Sequence, residues 1–221
     1  MDKQWKKFAK LSEICYTEME KGKIDLSVWD QSYEELKKVI CSMRKENPNS
    51  ARELYEIDDN SDFKYEIEGW LEDYRDTLDM MREHAKLQKV CEELIAMFCW
   101  KEDSPTDLKF HIVLALQGQE KYKEACEFSE HWYQEEDDNP YAAAALVYAK
   151  MGVKDYENAR QLVQKLIPEG TSCSDENDVL FGAAEKLFER TGDKQAEEKI
   201  RAALDRYDAE LEEYFDSLEH A

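Results

Sequence analysis

Apolar residues recur at alternating steps of three and four along almost the whole chain. Trp29, Tyr33, Leu36, Ile40 and Met43 form one such series, and Ile67, Trp70, Leu71, Tyr74, Leu78 and Met81 form another. A period near 3.6 puts these side chains on one face of a helix, so the pattern predicts a run of amphipathic helices. Asn47-Pro48, Ser104-Pro105 and Asn139-Pro140 each set a capping side chain before a proline, whose missing N–H is no loss in a first helical turn. All three are expected to open helices. Breaks are expected near residues 21–27, 47–63, 101–104, 138–140 and 168–175, which leaves helices of roughly 11 to 26 residues.

A repeat lies on top of this pattern. Gly118-Gln119-Glu120-Lys121-Tyr122-Lys123-Glu124-Ala125 matches Gly152-Val153-Lys154-Asp155-Tyr156-Glu157-Asn158-Ala159, offset by 34 residues at both ends. A fixed period of this size implies an array of similar units. The same step back from Ala125 reaches Cys91, another small residue early in a helical stretch, and predicts a third copy. The physical reading is a helix pair: the glycine ends the first helix, the tyrosine wedges the pair, and the small residue permits a close crossing.

These residues resemble the tetratricopeptide repeat family, whose unit is a 34-residue helix-turn-helix with a small residue early in the second helix. Residues 28–48 are similar to that second helix, with Tyr33, Leu36, Ile40, Met43 and Pro48 at its spacing, although Leu36 replaces the usual alanine. Leu187, Phe188, Gly192-Asp193 and Ala196 form a weaker closing copy, in which glycine to alanine spans four residues instead of seven. The first-helix signature of the family is degenerate throughout, and alanine-rich hairpins of other solenoids share the remaining features. The resemblance implies an all-α, right-handed superhelical solenoid of antiparallel helix pairs in a single domain, residues 1–221. Its expected parts are a first pair at 1–48, a connection with a short helix at 49–63, pairs at 64–100, 105–138 and 140–168, and a degenerate pair with a capping helix at 176–219. That last helix carries Ile200, Leu204, Tyr207, Leu211, Tyr214 and Leu218 near the period of a coiled-coil seam. Packing back on the preceding pair is expected, with self-association as the alternative.

Composition narrows the chemistry. Seven Gly and four Pro in 221 residues are about 5 %, against roughly 12 % in average proteins, too few for the turns of a β fold. The net charge of -22 repels a phosphate backbone or an anionic membrane, so no nucleic acid and no membrane is expected as a partner. Lys3, Lys6, Lys7 and Lys10 flank an apolar stripe of Trp5, Phe8, Cys15 and Met19, which is read as continuing the helical array. The six cysteines contain no C-x-x-C pair and read as small buried hydrophobes in a reducing cytoplasm. The opening residues form no apolar leader, and no stretch approaches the ~18 apolar residues of a membrane span.

Catalytic and metal patterns are missing. No two glycines lie within four residues of each other, so no P-loop or dinucleotide fingerprint exists. His84, His111, His131 and His220 belong to no zinc or nucleophile motif. Asp58-Asp59-Asn60-Ser61-Asp62 begins like a calcium loop, then fails with Phe63 where glycine and Gly69 where glutamate would stand; it is expected to be a solvated, helix-capping connection. No enzyme activity, cofactor or metal is expected.

Function is therefore expected to be protein–protein interaction: an adaptor, more readily a monomer than a homodimer, that holds a partner peptide or helix in its concave groove. Counting back from the repeat glycines places Arg75, Arg82, Lys109 and Lys150 in one lane of positive charge over an apolar floor of Leu78, Ile112 and Leu146. The alternative is an acidic assembly or neutralising protein that binds a basic partner through its outer surface, or a homo-oligomeric structural protein.

Overall fold

The computed structural model describes residues 2–219; His220 lies outside them. Among the described residues there are helices and no strand: α1 (Asp2–Glu20), α2 (Leu26–Glu46), α3 (Tyr55–Ser61), α4 (Ile67–Met80), α5 (His84–Met97), α6 (Thr106–Gly118), α7 (Tyr122–Glu135), α8 (Pro140–Gly152), α9 (Tyr156–Leu166), α10 (Asp178–Thr191) and α11 (Lys194–Glu219). The all-helical expectation holds. Where the sequence was read as one domain, the helices gather into two compact units that divide within α6, between Leu108 and Lys109.

The first unit pairs α1 with α2 and α4 with α5, and α4 also touches α2 and α3. Its core is aromatic. Trp29 stacks on Trp70 with ring centroids 5.5 Å apart and on Tyr74 at 6.1 Å, while Phe8 meets Trp70 edge-on at 5.2 Å. Trp5 stacks on Tyr65 at 4.2 Å, tying the start of α1 to the segment before α4. The apolar series read from the sequence supplies this core: Leu36, Ile40, Leu71 and Leu78 are all buried with these rings.

The second unit centres on α8, which packs on α7, α9 and α10, while α10 also packs on α9 and α11. Ala142 to Ala145 are all buried, and side chains this small let neighbouring helices approach closely. Val147, Met151, Phe181, Leu187 and Ile200 fill the space between them.

One turn recurs. The residues after α1, α4, α6, α8 and α10 with left-handed backbone are Gly22, Arg82, Glu120, Lys154 and Gly192. In each, the N–H of the next residue bonds back to a carbonyl five positions earlier, Lys23 to Glu18 after α1 and, in the last four, Glu83 to Leu78, Lys121 to Leu116, Asp155 to Lys150 and Asp193 to Phe188, all at 2.8–3.0 Å. This is a Schellman closure, which satisfies carbonyls that the helix end leaves open. Five residues after each of the last four left-handed positions stand Leu87, Ala125, Ala159 and Glu197, whose N–H groups bond to Glu83, Lys121, Asp155 and Asp193 in turn.

The turns correct the repeat. Arg82, Glu120, Lys154 and Gly192 are separated by 38, 34 and 38 residues, so the 34-residue step holds for one interval alone. Leu87, not Cys91, is the counterpart of Ala125, and the buried Glu197, not Ala196, closes the series. The repeat glycine also has a different role from the one expected. α8 runs through Gly152, and the left-handed residue is Lys154, two positions later. A Cβ on Gly152 would lie 2.9 Å from Cδ1 of Tyr122, so glycine is needed there for the close approach of that ring. Because a non-glycine residue in this conformation carries roughly 1–2 kcal/mol of strain, partly offset by the greater freedom of an unfolded glycine, Lys154→Gly is expected to stabilise the protein by about 0.5–1 kcal/mol. Equilibrium urea unfolding checks it, and a destabilised variant would show that Lys154 contributes more by its side chain than its backbone costs.

Local expectations fare unevenly. Asn139 caps α8 as read, its Oδ1 accepting from the N–H groups of Tyr141 and Ala142, with Pro140 in the first turn. Asn47-Pro48 instead terminates α2: Asn47 is extended, as a residue before proline prefers, and its Oδ1 accepts from the Asn49 N–H in a turn. α6 starts at Thr106, one residue after Pro105. Cys15, Cys91, Cys126 and Cys173 are buried as expected, but Cys41 and Cys99 are exposed.

Candidate functional site

The residues of the predicted cationic lane are distributed over the two units. In the first, Arg75 is buried and its Nη2 lies 2.6 Å from Asp107; Leu78 is fully buried; Arg82 is exposed in the left-handed turn beyond the end of α4. Arg75 and Arg82 therefore do not share a helical face, because α4 stops at Met80 before the seven-residue spacing is complete. In the second unit, Lys109 bonds Glu136 and sits 5.4 Å from the ring centre of Trp132, and Lys150 bonds Glu130 with Asp155 at 3.7 Å. Ile112 and Leu146 are buried. Arg75, Lys109 and Lys150 thus each face a carboxylate from another helix or turn. Reversing Lys109 and Lys150 to Glu would set carboxylate against carboxylate, so those changes perturb folding as well as binding.

Sequence reasoning missed the polar cleft of the first unit, because it joins residues far apart in the chain. There Asp30 accepts from the Tyr74 hydroxyl at 2.6 Å and from Lys86 at 2.7 Å, and Glu93 accepts from Tyr33 at 3.2 Å and Lys37 at 3.1 Å. Burial, joined by the Asp30 contact, pushes the Tyr74 hydroxyl far above its ordinary value. The cleft's charges are mutually satisfied, and its work is to fasten α2 to α4 and α5.

An open groove of about 540 Å³ lies in the second unit, among α9, α10, α11 and the segment from Ile167 to Thr171. Val163, Phe181, Phe188, Ile200 and Ala203 line it with apolar surface, and Gln164, Gln195 and Lys199 are exposed at its edge. One end is fixed by Arg160, which bonds Asp193 and lies 5.3 Å from the Phe188 ring centre. That guanidinium holds the Asp193 carboxyl below its ordinary value. The dimensions suit side chains of a bound segment, since ligand clefts commonly span roughly 300–1,000 Å³. The signal for this groove in the sequence was the Gly-Thr-Ser stretch after Pro168, which marks a loop but not what the loop encloses.

Among the described residues no group of three or more His, Cys, Asp or Glu side chains is placed to hold a metal ion. No helix among them is long and apolar enough to cross a membrane. The Asp58 run acts as a capping device: the Asp58 carboxylate accepts from the N–H groups of Ile67 and Glu68 at the start of α4, though it is buried rather than solvated. No family model, curated protein or solved structure matches the chain.

Several ion-paired carboxylates link stability to pH. Glu35 is held below its ordinary value by Lys38 and Lys7, Asp193 by Arg160, and Glu197 by Lys194. A depressed carboxyl stabilises the fold fully above its unfolded value of roughly 4, and that contribution disappears as pH falls through the lower folded value. Glu68, raised by burial, acts in the opposite sense. Relief of the net negative charge favours the fold on mild acidification, so the melting temperature is expected to hold or rise from about pH 7 to pH 5 and to fall below about pH 4. A pH series of thermal melts tests this; a rise continuing to about pH 3 would mean that charge repulsion outweighs these pairs.

Proposed function

We propose that the protein is an intracellular interaction scaffold of tetratricopeptide-like helical hairpins, which belong to a right-handed solenoid and hold a peptide or helix of a partner. The observation that carries the reading is the groove of the second unit, whose floor is the buried core of α9, α10 and α11 and whose half-buried Ile167, Ala196 and Ala203 can meet an extended or helical segment while amides and Lys199 at its edge offer polar contacts. On this reading the binding face lies on α9 and α11 rather than on the cationic positions of α4, α6 and α8. The recurring turn supports the repeat nature of the hairpins, and the six unpaired cysteines support a reducing cytoplasmic setting.

The test is affinity capture from the protein's own cell extract with wild type, Gln164→Arg and Ala203→Arg. Gln164 is exposed at the rim, so its replacement fills the groove without disturbing the core. Gln164→Arg is expected to lose the captured partner while melting as wild type does, and Ala203→Arg, at a half-buried position packed against the core, to lose it with a lowered melting temperature. Retention of the same partner by the folded Gln164→Arg protein would remove the groove as the binding face.

A further inference from the structure

The seam of α11 is only half covered. Ile200, Ala203, Leu204 and Tyr207 pack against the core of the second unit, and the Tyr207 hydroxyl bonds Asp175 at the last covered turn. The same seam then continues in steps of four, three and four through Leu211, Tyr214 and Leu218. There Tyr214, Phe215 and Leu218 are 58 %, 59 % and 56 % exposed, and the two aromatic rings touch edge-on with centroids 5.7 Å apart. Single exposed apolar residues are ordinary on protein surfaces, whereas a contiguous patch on one helix face marks an interaction site.

Charge selects among the possible occupants. From Asp205 to Glu219 the helix carries seven carboxylates against the single base Arg206. In heptad terms Asp208 and Glu210 flank the seam at the positions that set partner choice in paired helices. A second copy of α11 would bring another helix of the same strongly negative charge against this one, and an anionic membrane would be repelled likewise. A helix with apolar side chains on one face and Lys or Arg at its borders meets both the aromatic patch and the acidic flanks.

We propose that the distal half of α11, through Tyr214, Phe215 and Leu218, docks a basic amphipathic helix of another protein. The inference rests on the interaction-scaffold reading and names a partner chemistry for it, at a surface separate from the groove of α9 and α11. Apolar burial holds the helix, and the acidic flanks select its charge and speed its approach.

The probes are synthetic peptides of about three heptads: one with Leu along the seam and Lys at its borders, one with Glu at the borders, and one with the residues of the basic peptide shuffled. Binding is read by fluorescence anisotropy against the full chain and against a triple variant, Tyr214→Gln, Phe215→Gln and Leu218→Gln, which keeps every charge and alters only exposed residues. The amphipathic basic peptide is expected to bind, with Kd raised at least about tenfold by the triple variant, while the acidic and shuffled peptides bind far more weakly. Equal binding of the shuffled peptide would reduce the effect to bulk charge and overturn the proposal, whatever the variant does to the helix. Equal binding of the basic peptide to the triple variant would also overturn it. A wild-type dimer by light scattering that the variant dissociates would assign the patch to a second copy. Should the basic peptide bind the triple variant as it binds wild type while Gln164→Arg loses the captured cellular partner, this docking surface fails and the scaffold reading stands.

Discussion

Replacing Trp70 by Ala is expected to destabilise the protein by about 3–5 kcal/mol, the usual range for deleting a large buried aromatic. Trp70 is 1 % exposed and is the one ring that meets Phe8 of α1, Trp29 of α2 and Tyr74 of α4 together. Its removal opens a cavity where three helices meet. Ring contacts of this kind add about 0.5–1.5 kcal/mol each beyond buried area, so part of the loss is specific to aromatic geometry. Its indole Nε1 has no hydrogen-bond partner among the described residues. Trp70→Phe should therefore be milder, at about 1–2 kcal/mol, because it keeps a ring and removes an unsatisfied donor. Urea unfolding followed by far-ultraviolet circular dichroism gives both values. A loss below about 1 kcal/mol in the alanine variant would mean that Trp29 and Phe8 close over the space, and that the aromatic cluster is softer than its stacking suggests.

The helices were legible in the sequence because burial writes the same period along every one of them. Trp29, Tyr33, Leu36, Ile40 and Met43, read as one stripe, are all buried on α2. The turns were less legible for a definite reason. A Schellman closure is a backbone event, and three of the five left-handed residues are Arg82, Glu120 and Lys154, which carry no glycine signal. Gly118 and Gly152 drew attention instead, and counting from them put the third copy four residues out of register. The lane of Arg75, Lys109 and Lys150 was read from cations alone; the carboxylates that meet them, Asp107, Glu136 and Glu130, come from neighbouring helices and turns that linear spacing does not pair. The groove of the second unit showed in the sequence only as the loop at its edge, for the same reason, since α9 and α11 are brought together by a core residue set on α10. By contrast, the exposed end of α11 is nearly explicit in the sequence: its seam outruns the length of α10, which has 14 residues to its 26.

Asp58→Ala is expected to destabilise the first unit by about 1–3 kcal/mol, chiefly from the buried Ile67 amide that loses its acceptor, with a smaller part from the partly exposed Glu68 amide. α4 needs an external cap. Its own N-cap residue, Glu66, has left-handed backbone at φ 45° and provides no side-chain hydrogen bond. Asp58 supplies the missing acceptors from α3, with Oδ1 2.7 Å from the Ile67 nitrogen and Oδ2 3.0 Å from that of Glu68. The carboxylate is 3 % exposed, and an isolated charge at that depth would be strongly unfavourable. Two charge-assisted hydrogen bonds and the positive end of the α4 dipole offset that penalty. The same two bonds hold α3 against α4 across the connection from Asp62 to Glu66. Asp58→Asn should lie between alanine and wild type, because one amide oxygen can still accept while its NH₂ group turns toward a donor it cannot satisfy. Urea unfolding ranks the three proteins, and amide hydrogen exchange localises the effect: Ile67 and Glu68 should lose protection ahead of the interior of α4. If alanine leaves stability within about 0.5 kcal/mol of wild type, water satisfies those amides and the α3 connection does not fix the start of α4.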